Sequence, residues 1–167
     1  MAITFNADEI FEMAEEIERN GAAFYREAAA KASREDIKKM LLDLAAMEEG
    51  HEQTFAQMRK KLSPAEKEQT TYDPDNEVAQ YLRTMADFHG TEGKISPSEK
   101  LTGNESMTEI LKIALQAEKN SIAFYVGIKD LVPSRAGKGK IQTIIIEEMA
   151  HVSAIGGKLQ SLRQAAD

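Results

Sequence analysis

The sequence predicts an all-α fold, a four-helix bundle made of two helical hairpins joined by a long crossover with a short extra helix. Three observations carry this. Apolar residues recur at alternating steps of four and three along four separate runs, the stripe that helices bury when they pack together. The four prolines, at positions 64, 74, 97 and 133, all fall between those runs. Residues 100 positions apart are identical at Glu9/Glu109, Ile10/Ile110, Ala14/Ala114, Glu18/Glu118, Asn20/Asn120, Ala23/Ala123, Phe24/Phe124, Tyr25/Tyr125, Lys38/Lys138, Glu48/Glu148, His51/His151 and Leu62/Leu162. Twelve matches in ungapped register make the second hairpin a repeat of the first. The chain is accordingly read as one domain over 1–167, with hairpin one at 6–62, a connector at 63–104 and hairpin two at 105–165.

The first helix is expected from Ala7 to Lys31. Asn6 stands three residues before Glu9, the spacing of a capping box, and an Ala/Glu-rich run follows. Its buried seam reads Phe11, Ala14, Glu18, Gly21, Tyr25, Ala28. A turn around "KASRED" leads into a second helix that reaches Leu62, with the seam Ile37, Leu41, Leu44, Glu48, His51, Phe55, Met58, Leu62. The stretch "SPAEKEQTTYDPDN" reads as irregular, "EVAQYLRTMADF" as a short helix, and "HGTEGKISPSEKLTG" as irregular again, which puts His89 in a loop. The third helix opens near Ser106, again three residues before a glutamate, and ends before Pro133; its seam is Leu111, Ala114, Glu118, Ser121, Tyr125, Ile128. The fourth runs from about Gly139 to the C-terminus, with Ile141, Ile144, Glu148, His151, Ile155 and Leu162 inward.

Composition removes several classes of function. A net charge of −7 argues against nucleic acid and anionic membrane surfaces as main partners. With no cysteine, disulfides, thiolate zinc sites and iron–sulfur clusters are excluded. No run approaches the length of a membrane span, and the N-terminal residues do not read as a signal peptide, so a cytoplasmic location is expected. The methionines follow helical core spacing and offer no haem ligand. "HEQTF" opens like a zinc-protease motif, but Phe55 stands where the second histidine is needed.

What distinguishes the seams is a glutamate near the centre of each. The midpoint between Glu18 and Glu48 is position 33, and between Glu118 and Glu148 it is Pro133, both within expected turns. Each hairpin therefore returns its second glutamate to the height of its first, 15 residues or about 22 Å from the turn. Four carboxylates in one core demand protons or cations, because burying each charge costs several kcal/mol and like charges add to that cost. Two divalent metals would balance them. Two of the three histidines follow a glutamate by three residues, a spacing that lets both side chains of a helix reach one ion. Oxygen and imidazole ligands of this kind suit iron or manganese. A helix turned by one residue would bring in Glu49 or Glu147 instead; otherwise those two, with Glu15 and Glu16, are expected in solvent. Tyr25 and Tyr125 are open to simple core packing or to a role at the site.

This set, Glu18, Glu48-x-x-His51, Glu118 and Glu148-x-x-His151, resembles that of the ferritin-like di-iron carboxylate proteins. "ERNGAAFYREAA" and "EKNSIAFYVGI" look most like the rubrerythrin-related branch, in which a tyrosine follows the helix-one glutamate by seven residues. The resemblance implies a ferritin-like bundle holding two iron ions per chain, with manganese or zinc as substitutes and no haem. Glu48 and Glu148 would bridge the metals, Glu18 and Glu118 would bind terminally, and His51 and His151 would each complete one metal. Tyr25 and Tyr125 would donate hydrogen bonds to the carboxylates and orient them. The implied function is oxidation of ferrous iron and/or reduction of hydrogen peroxide or dioxygen, in a homodimer served by an external electron donor. The alternative is iron binding or storage without turnover. Two features depart from full rubrerythrins: the chain lacks the cysteines of a rubredoxin iron site, and its four-Glu, two-His set is closer to bacterioferritin.

Overall fold

A computed structural model describes residues 5–68, 75, 77–89 and 101–165. Among these residues the chain forms six helices and no strand: α1 (Ala7–Lys31), α2 (Glu35–Lys60), α3 (Pro64–Glu68), α4 (Glu77–His89), α5 (Met107–Ile128) and α6 (Ser134–Gln164). Both expected capping boxes are present. The Asn6 side chain accepts from the Glu9 amide at 2.9 Å while Glu9 accepts from the Asn6 amide, and Ser106 and Glu109 do the same at the head of α5. A cap of this kind is worth about 1 kcal/mol.

Three details differ from the sequence reading. The first is α3, which opens with Ser63 and Glu66 capping one another, while Arg135 reaches across to Glu66 at 2.6 Å. The sequence carried this signal in "SPAE", but five residues are too few to show periodicity. The second is His89, expected in a loop, which instead ends α4. The third is the start of α6, at Ser134. Gly137 there has φ +134°, so a first turn is offset from the straight helix that follows, and the regular run begins close to Gly139 as expected. An L side chain at 137 would be strained at that φ and would also run into Met58 Sδ.

The core has two apolar halves. One contains Phe11, Phe55, Met58, Phe124, Ile128, Ile141 and Leu82; the other contains Phe24, Ile37, Leu41, Leu44, Ile110, Leu111 and Ile155. The first half of α1 therefore packs with the last part of α5, and the end of α2 with the beginning of α6. The hairpins are related by an approximate two-fold axis across the bundle, and the connector between α2 and α5 has to travel its length. Helix α4 lies on this path. Its Leu82 is fully buried, and the ring of Tyr81 sits against Gly127 of α5 with its hydroxyl donating to the Ala123 carbonyl. A Cβ at 127 would overlap that ring. The repeat-related residue in hairpin one is Glu27, which pairs with Lys31, so the glycine that seats the Tyr81 ring on α5 has no counterpart on α1.

Candidate metal centre

Between the two apolar halves lies one polar layer. Helix α1 supplies Glu18, α2 supplies Glu48 and His51, α5 supplies Glu118, and α6 supplies Glu148 and His151; none is more than 5 % exposed. The structure brings together all six residues singled out in the sequence. They form two overlapping groups, Glu18–Glu48–His51–Glu148 and Glu48–Glu118–Glu148–His151, with the candidate ligand atoms of each within 4.8 Å of one another. Glu48 and Glu148 belong to both.

The histidines present the same face. His51 Nδ1 lies 2.9 Å from Glu148 Oε1 and 3.5 Å from Glu18 Oε2; His151 Nδ1 lies 3.2 Å from both Glu48 Oε1 and Glu148 Oε2 and 3.4 Å from Glu118 Oε2. Their rings stack at 5.8 Å between centroids. Glu18 Oε2, Glu48 Oε1, Glu148 Oε1 and His51 Nδ1 are buried without a hydrogen-bond partner. Buried polar atoms are almost always satisfied. Four unsatisfied oxygen and nitrogen donors at one place, close to each other but not bonded, fit a divalent cation.

The electrostatics say the same from another side. Burial pushes Glu18 and Glu48 well above the usual carboxylate range, helped by the charges of the neighbouring glutamates. Glu118 is pushed up to about 8, again by burial first. Burial and Glu48 also act to raise Glu148, but the close approach of Glu118, His151 and His51 outweighs them and holds it below its ordinary value. Burial disfavours the His151 cation, yet Glu118, Glu148 and Glu48 overcome this and push the ring up to about 12. Without metal, the layer keeps its charge down by retaining protons.

The tyrosines cross between hairpins. Tyr25 of α1 donates to Glu118 Oε1 of α5, and Tyr125 of α5 donates to Glu18 Oε1 of α1. Each fixes the carboxylate of the opposite half. Beside them is a cavity of about 20 Å³, room for about one water, bordered by Gly21, Ser121, Ala117, Glu48 and Glu118.

Glu49, the alternative to Glu48, points outward to Arg26. Glu15 is not free in solvent as expected: its side chain is 14 % exposed and faces Arg59 at 3.7 Å. Glu147 is partly exposed, yet its Oε2 accepts from His51 Nε2 at 2.9 Å, a contact that sequence reasoning missed. It spans 96 positions between hairpins, so no local spacing announces it.

A family model described as rubrerythrin matches residues 9–155. The chain belongs to the rubrerythrin family. No curated protein matches it. A crystal structure described as a ferritin-like diiron-carboxylate protein from Thermotoga maritima is similar over all of both chains, with a TM-score of 0.66 and 23 % identity. That likeness shows the fold of this rubrerythrin-family chain to be ferritin-like. Among the described residues no helix is long and apolar enough to cross a membrane.

Proposed function

We propose that this rubrerythrin-family protein holds two iron ions in the polar layer and serves as an oxidoreductase that oxidises ferrous iron and/or reduces hydrogen peroxide or dioxygen. The observation that carries this reading is the pair of overlapping four-residue groups with Glu48 and Glu148 in common. As residues common to both groups, Glu48 and Glu148 would hold both ions. In this reading Glu18 and His51 complete one position and Glu118 and His151 the other. A bound iron pair supplies two electrons, one per ferrous ion, and a Lewis-acidic surface for a small oxidant.

The rest is the work of the chain. Four carboxylates balance two divalent ions, so the loaded layer is neutral with neutral histidines. Tyr25 and Tyr125 hold Glu118 and Glu18 in place by hydroxyl donation. Phe24, Phe124 and Ile144 on the apolar sides keep bulk water out. The small cavity at Gly21 and Ser121 leaves space for about one water beside Glu48 and Glu118. Peroxide reduction consumes two electrons and two protons and leaves two waters. With no cysteine for a rubredoxin-type iron site, those electrons come from ferrous substrate or a separate donor. Exposed Ile146 and Met149 on α6 favour a homodimer.

The test is metal content and turnover together. Protein from iron-replete cells is expected to carry two iron atoms per chain and to oxidise added ferrous iron with peroxide. Glu48→Ala is expected to lose both metals and at least tenfold in rate, since it removes a ligand common to both positions. A metal content below about 0.2 per chain, or equal rates in the two proteins, would overturn the reading.

A further inference from the structure

The repeat that builds the metal centre is broken at one position that touches it. Glu147, 43 % exposed on α6, accepts a hydrogen bond from His51 Nε2 at 2.9 Å. The residue 100 positions earlier, which by the repeat should do the same for His151, is Met47. His151 Nε2 is buried and has no hydrogen-bond partner. Its ring instead borders a cleft of about 360 Å³ between α2 and α6, shared with Met40, Leu44 and Met47.

We infer that Glu147 is a positioning residue for His51 and that its absence from the other half makes the two metal positions unequal, the His51 position being the tighter. This rests on the proposed use of the layer as a two-metal site, but not on iron or on turnover. Both histidines turn Nδ1 toward the carboxylates. An imidazole that gives its Nδ1 lone pair to a metal carries its ring proton on Nε2. At His51 that N–H meets a carboxylate, which fixes the ring and makes Nδ1 a better donor. At His151 the same N–H is buried without an acceptor, so ligation there leaves a donor unsatisfied. Outer carboxylates of this type change metal affinity by about 10–100-fold. The cleft beside His151 has room for an acidic side chain at position 47, so the missing partner can be put back.

The experiment is a titration of the metal-free full chain with Co2+, followed by calorimetry and by the visible absorption of the bound ion. The unaltered protein is expected to take two Co2+ in two resolved steps, at least about tenfold apart in affinity. Glu147→Met should weaken the first step by about 10–100-fold and merge it with the second, with the total of two ions kept. Met47→Glu should strengthen the second step and merge it with the first. Glu147→Asp should recover part of the first step. The spectrum of the first Co2+ bound should change in Glu147→Met, where that ion is no longer confined to the His51 position, and a loss of general stability would not produce this change. Two indistinguishable steps in the unaltered protein, or a first step untouched by Glu147→Met, overturns this inference while leaving the two-metal reading standing. No Co2+ uptake at all overturns both.

Discussion

Glu118 sits 3 % exposed beside other buried carboxyls, accepts the Tyr25 hydroxyl, and is pushed by burial up to about 8. Its environment is unfavourable to the charge that metal binding requires, and this is how a binding site and a stable core come into conflict. Glu118→Gln keeps the shape and the acceptor for Tyr25 but removes the charge. At pH 8 with chelator present, this variant is expected to melt higher than the unaltered protein by about 1 kcal/mol or more, roughly 2–4 °C for a chain of this size. It should also bind less metal and gain less from adding it. Thermal melts with and without a divalent cation measure both effects; a lower melting point for the chelated variant would contradict the account. The candidate ligand residues were legible because their types are so poorly suited to the seam positions they hold. Glu147 was not, because an exposed glutamate beside Glu148 looks like any solvated charge, and its partner lies on the other hairpin.

Helices α1, α2, α5 and α6 announce themselves by periodicity and by Asn6 and Ser106, and the connector announces itself by proline and glycine. Which face of which helix α4 would cover was hidden. The seat is Gly127, whose missing side chain lets the Tyr81 ring rest on α5. A glycine in a helix reads as a cost until the thing packed on it is known. Gly127→Leu is expected to push Tyr81 off α5 and to destabilise the protein by about 1–3 kcal/mol, the usual scale of overpacking. Because Gly127 lies away from the candidate ligands, metal content should match that of the unaltered protein. Limited proteolysis gives the sharper check: cleavage within 77–89 should quicken in the variant, and an unchanged pattern would show that α4 does not depend on this contact.

The two hairpins have little reason to hold together at their middle unless something neutralises it. In the metal-free protein Glu118 keeps its proton up to about pH 8, whereas the unfolded chain releases it near 4.5. The folded state therefore binds more protons than the unfolded one across that window, and metal-free stability falls as pH rises from about 5 to 8. His151, pushed up to about 12, acts in the same direction above its ordinary 6.5. A tenfold change in acidity corresponds to about 1.4 kcal/mol, so the decline should be easily seen in melts at pH 5.5 and 8. Metal has to displace these protons, so its affinity should rise over the same range and restore the stability lost. A melting point that climbs with pH in chelator would refute this.

The chain's own order of residues was enough to specify helices, turns, the repeat, and the height at which four glutamates and two histidines meet. It could do so because these follow from spacing along the backbone and from the cost of burying charge. The exchange of tyrosine hydroxyls between hairpins, the support of His51 by Glu147, the bare Nε2 of His151 and the resting place of α4 belong to tertiary structure alone. They join positions 93, 96, 107 and 42 residues apart in the chain, where no periodicity reaches and only the packing of one helix on another decides which atoms touch.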